Sequence, residues 1–163
     1  MTPAWLYDLA LCLHLLGAFS LVSGTVVAGV GFEAARRRTS CTEIALALGL
    51  ARVGALLVVA GTIFAAGFGL WLVELGHWGY GTPWVDAAIG LLAMVAVIGS
   101  MGGQRPKRAR LLATRLATDG LPPSAELRSL LDDRMAIALN YLAAAALLAI
   151  IVLMVVRPGS PHQ

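Results

Sequence analysis

Four long runs of mostly apolar residues limit what this chain can fold into. They extend from about Leu9 to Phe32, Val53 to Val73, Val85 to Gly102 and Ala136 to Val156. A helix needs about 20 such residues to cross about 30 Å of hydrocarbon. The runs are continuous rather than alternating, which excludes a membrane barrel of strands. Composition agrees. Of 163 residues, 13% are charged and 59% hydrophobic, whereas an ordinary soluble domain carries about 25% charge. A disordered chain, a soluble enzyme of normal makeup and a disulfide-stapled secreted module are thereby excluded. The expectation is an all-α membrane protein, a single four-transmembrane-helix bundle over residues 1–163.

The first run is read as a retained helix rather than a cleaved signal. No Lys or Arg precedes it, Asp8 stands at its start, and Arg36, Arg37 and Arg38 follow it. Its apolar stretch also exceeds the 7–15 residues of a signal core. Basic residues then set the orientation. The first loop holds Arg36, Arg37 and Arg38, with Arg52 at its far edge. The third loop, about 103–134, holds Arg105, Lys107, Arg108, Arg110, Arg115, Arg128 and Arg134. Only Arg157 lies on the other side. Loops one and three are therefore expected in the cytoplasm and both termini outside. The pI near 9.3 follows from this asymmetry, and no nucleic-acid partner is needed to explain it. Trp5, Tyr7, Trp71, Trp78, Tyr80 and Trp84 map to the outer interface, where amphipathic rings sit, and Tyr141 maps to the inner one.

Between the spans, Ser40-Cys41-Thr42-Glu43 has the spacing of a capping box, so the second helix is expected to begin near Cys41, with Ile44 to Leu50 at the inner leaflet. Lys107 to Thr118 reads as a solvated continuation of the third helix, with an interfacial amphipathic helix attracted to anionic lipid as the alternative. Asp119-Gly120-Leu121-Pro122-Pro123 is a break, after which Ser124 is placed to cap a helix running through Leu130 into the fourth span. Cys12 and Cys41 fall at different membrane depths, too far apart for a disulfide.

Polar groups inside the spans are few, and each costs free energy in a bilayer. His14 lies about five residues into the first span, about 7 Å deep. Gly17, Gly24 and Gly31 recur at heptad spacing on its helix, and Gly54, Gly61, Ala65 and Gly69 form a matching small stripe on the second. Small residues mark faces where helices approach closely, so these two helices are expected to pair, with His14 at the stripe's edge facing protein. Asn140 is expected to make an interhelical hydrogen bond. Met154 sits at a depth similar to His14. One chemical reading is a haem b iron or a copper ion held by His14 and Met154, with Glu74 or His77 nearby, since imidazole and thioether ligands suit both. The bland reading gives His14 an interhelical hydrogen bond and leaves His77 and His162 exposed. A two-histidine haem would need His14 from each chain of a homodimer. Other readings are a non-enzymatic assembly or accessory protein that packs against a membrane partner through its glycine faces, and a small transporter. No phosphate-binding loop, dinucleotide fingerprint, C-x-x-C, H-E-x-x-H or Ser/His/acid arrangement is present.

Three segments carry a family resemblance. Leu13-His14-Leu15-Leu16-Gly17-Ala18 resembles the opening of an uncharacterised bacterial integral-membrane family, domain of unknown function 2269. Gly67-Phe68-Gly69-Leu70-Trp71-Leu72 is similar to its second block, and Asn140-Tyr141-Leu142 leading to Leu153-Met154-Val155-Val156-Arg157-Pro158-Gly159 to its close. The family is distantly similar to copper-resistance protein D and HemJ-type membrane proteins. The resemblance implies a four-helix bundle in the bacterial inner membrane. It also implies a haem-ligand role for the first-helix histidine, here His14, or metal handling at the outer face. The chain lacks further histidines within its spans, a departure that argues against the oxidation of protoporphyrinogen.

Overall fold

The computed structural model describes residues 3–77, 82–102 and 104–156. Among the described residues six helical segments follow one another: α1 (Ala4–Arg37), α2 (Cys41–Leu75), α3 (Pro83–Gly102), α4 (Gln104–Thr118), α5 (Ala125–Leu131) and α6 (Arg134–Val156). No strand occurs among the described residues. Four helical stretches are long and apolar enough to cross a membrane, so the protein is an all-α membrane protein with four candidate spans. The basic loops of the sequence lie at one end of the bundle, called here the basic end.

The helices pack as two pairs, α1 with α2 and α3 with α6. The first pair is close because glycine faces glycine. A side chain at Gly24 would meet the Gly54 carbonyl oxygen at 2.7 Å, and one at Gly31 would meet the Ala51 backbone nitrogen at 2.7 Å. Residues seven apart on a helix return to nearly the same face, which is why the heptad glycines form one continuous seam. The two pairs meet where Leu21 of α1 and Val58 of α2 pack with Val95 of α3 and Ala146 and Leu147 of α6.

Helices α1 and α2 have 34 and 35 residues, about 50 Å each at 1.5 Å per residue. They therefore outrun the bilayer and project at the basic end. There they form a second small core. Ala35, Cys41, Ile44 and Leu48 pack against Ala109 and Ala113 of α4 and Leu127 and Leu131 of α5. Helix α4 follows α3 and buries Ala109 and Ala113 on α2, while its other residues are exposed or half-buried. The helical continuation expected for the third loop is therefore amphipathic and packs on protein along one face. Ile44 and Leu48 bury against protein, whereas Leu46 and Leu50 of the same stretch are exposed.

Two local expectations also change. Helix α2 does begin at Cys41, but the Ser40 side chain makes no capping bond. Its carbonyl accepts from the Ile44 N–H at 3.0 Å, while Glu43 lies 4.0 Å from Arg38. The arginine next door competes for the carboxylate that a capping box needs. Ser124 does cap α5, accepting from the Leu127 N–H at 3.2 Å. That helix stops at Leu131 instead of running into the fourth span, because Asp133 accepts from the Met135 N–H at 3.0 Å and starts α6 afresh. Among the aromatics, Trp5 is 62% exposed, but Trp84 is buried with Val73, Val85, Leu153 and Met154. Trp78, Tyr80, Arg157 and His162 lie outside the described residues.

Candidate functional site

The site is built from the glycine seam. Close approach of α1 and α2 brings the His14 ring against the backbone of α2, and its Nδ1 donates to the Ala65 carbonyl oxygen at 2.9 Å. Gly69, one turn further along α2, leaves the space the ring occupies. A side chain there would meet the imidazole Cε1 and Nδ1 at 3.1 Å. With the proton on Nδ1, the lone pair lies on Nε2. A backbone carbonyl on one ring nitrogen is the usual way a metal-ligating histidine is oriented, leaving the other nitrogen to ligate.

His14 stands seven residues before Leu21, hence on nearly the same face of α1, and Leu21 faces α3 and α6. The imidazole therefore lies on the flank of the α1–α2 pair that turns toward the rest of the bundle. A shallow groove lined by Leu16, Gly17, Ser20, Ala60, Gly61 and Phe64 opens on the opposite flank. There Ser20 Oγ donates to the Leu57 carbonyl at 3.1 Å.

The remaining candidates stand at the end of the bundle opposite the basic end. Met154 packs beside Val73, Trp84 and Val85. Glu74 is exposed in the last turn of α2. His77 is exposed in the turn that follows, with φ of 53°, a left-handed conformation that few residues other than Gly adopt. Among the described residues, no three of His, Cys, Asp and Glu come together as a metal cluster would require. Both cysteines are free, Cys12 exposed and Cys41 buried. Asn140 corrects its expectation. Its Nδ2 sits 3.3 Å from where a side chain on Gly29 of α1 would begin, and among the described residues it makes no hydrogen bond. The glycine leaves room for the amide but offers it no acceptor.

The sequence did not point to two features. The carbonyl partner of His14 is backbone, and backbone has no residue signature. The guanidinium of Arg128 donates to the carbonyls of Arg36 at 3.2 Å and Arg38 at 2.6 Å, closing the end of α1. A Lys or Arg near a helix C-terminus is the only hint, and here it comes from 90 residues away.

No curated protein and no solved structure matches the chain. The helical, four-span architecture with its glycine-seamed first pair spans the length that residues 8–158 share with one family model, described as predicted integral membrane protein (DUF2269). The chain belongs to that family.

Proposed function

We propose that the protein is a multi-pass protein of the bacterial inner membrane, both termini outside, that offers His14 as an axial ligand to a haem iron in the outer half of the bilayer. The observation that supports this reading is the hydrogen bond from Nδ1 to the Ala65 carbonyl, which directs Nε2 away from α2. Gly69 keeps the ring's place open. The donor set favours haem over copper. Haem brings four nitrogen ligands of its own and asks the protein for one or two axial groups, whereas copper draws its ligands from side chains, and no three-residue group of His, Cys, Asp and Glu stands among the described residues. Such a haem would supply one-electron chemistry. The chain's own part is to fix the imidazole's tautomer and direction and to hold it out of water. Met154, Glu74 and His77 are not needed for a single axial ligand.

The test is an absorption spectrum of detergent-purified protein from haem-replete cells. A Soret band that is lost in His14→Ala and shifted in Gly69→Val is expected. Colourless wild-type protein, or a band indifferent to His14→Ala, overturns the proposal. The accessory-protein reading through glycine faces has less support, because Gly17, Gly24, Gly31, Gly54 and Gly61 all face the partner helix within the same chain. No surface of that kind is left over from them.

A further inference from the structure

Some basic residues of the basic end are matched to carboxylates and others are not. Those at the end of α1 are matched to carboxylates: Arg36 to Glu33 at 2.9 Å and Asp132 at 3.5 Å, Arg37 to Glu33 at 2.9 Å, and Arg38 to Glu43 at 4.0 Å. Arg105 pairs with Asp133. These pairs commit Glu33, Glu43, Asp132 and Asp133. Arg52, Lys107, Arg108 and Arg134 are exposed, and among the described residues none of the four makes an ion pair.

Their depth is set by the spans. Arg52 directly precedes the apolar run of α2, Arg134 opens α6, and Lys107 and Arg108 lie in the first turns of α4, just past the end of α3. Arg108 is six residues beyond Gly102, about 9 Å along a helix axis. A headgroup layer is about 5–8 Å thick on each side of the hydrocarbon, so the Arg108 backbone lies at its outer edge and the long side chain reaches back into it. The contact between Arg105 and Asp133 sets the start of α4 beside the start of α6. Arg52 stands one turn on the membrane side of Leu48, which packs with Ala109 and Ala113 of α4. The four cations thus border the end of α3, the start of α4, the start of α6 and the part of α2 that packs beside α4, at the level where lipid phosphates lie.

We propose that this rim is a binding site for the headgroups of anionic phospholipid in the leaflet at the basic end. Phosphate and cation meet there without competition from Glu33, Glu43, Asp132 and Asp133, which are already engaged. The acyl chains run along the exposed apolar surfaces of α2 and α6, where Val53, Leu56, Met135 and Leu142 are all open. A soluble anion would lose that second contact. The site does not depend on the His14 reading and is tested without reference to it.

Native mass spectrometry of the full chain in detergent, titrated with phosphatidylglycerol or phosphatidylcholine, supplies the test. Wild-type protein is expected to retain phosphatidylglycerol preferentially. A cation near a membrane surface contributes about fivefold in affinity, so the combined Arg52→Gln, Lys107→Gln, Arg108→Gln variant should lose about a hundredfold of that preference. Arg115→Gln, further from the spans, should keep it. If the triple variant misfolds, Lys107→Gln alone is read for a fivefold loss. Equal retention of the two lipids, a preference unchanged in the variants, or displacement of phosphatidylglycerol by millimolar inorganic phosphate each overturns the proposal.

Discussion

Gly54 and Gly67 are both helical glycines of α2, and the structure sets them apart. A side chain at Gly54 would begin within 3 Å of the backbone of Ala28 and Gly24, whereas at Gly67 nothing lies within 4 Å. Alanine is favoured over glycine in a helix by about 1 kcal/mol, so Gly67→Ala should be neutral or stabilising. Gly54→Ala meets backbone that cannot turn aside, and overpacking of this kind costs about 1–3 kcal/mol. Thermal unfolding in detergent should separate the two variants, and equal melting temperatures would refute the close seam. The seam was legible in the sequence because heptad spacing on two neighbouring spans leaves few other arrangements. The site itself was only half legible. His14 stands out as an ionisable group in an apolar run, and its place at the stripe's edge turned it toward protein. Its acceptor, the Ala65 carbonyl, became visible only with the register of the two helices. Gly69 could be counted among the small residues, but its role as the imidazole's berth required the distance.

Short helix α5 shows how an element of seven residues persists. Isolated helices this short are unstable in water. Here Ser124 caps the start, Leu127 and Leu131 are fully buried, and Arg128 reaches across to the end of α1. Ser124→Ala should cost about 1 kcal/mol. Arg128→Ala removes two charge-assisted bonds and should cost about 1.5–3 kcal/mol. Either loss should be read as faster amide hydrogen exchange confined to α5 and the last turn of α1, about tenfold or more for Arg128→Ala. Exchange unchanged there would show that the leucines alone hold α5. The spans were legible at this scale, since their length and apolarity are set by the bilayer. The segment between α3 and α6 was less so. Its leucines and arginines alternate in a way that suits water, lipid or protein equally, and only the alanines Ala109 and Ala113, small enough for α2 to approach, decide among them. Nothing in an alanine's identity announces that a helix will lie against it.

Across the whole molecule, charge asymmetry predicts one topology. Reporter fusions should place Lys107 in the cytoplasm and both termini outside, and a periplasmic Lys107 would reverse every statement about leaflets made above. Two of the helices outrun the membrane, and their projecting ends, with α4 and α5, enclose Cys41 in a core of their own. A thiol reacts as its thiolate, which requires water and room. Cys12 is exposed on a span, where hydrocarbon keeps a water-soluble reagent away from it. A membrane-impermeant maleimide added from the basic end should therefore modify neither cysteine while the cap stays closed. Arg128→Ala should raise the alkylation of Cys41 about tenfold with no change at Cys12. The protein thus carries its own gauge of how often that cap breathes, readable in inside-out vesicles without introducing a cysteine.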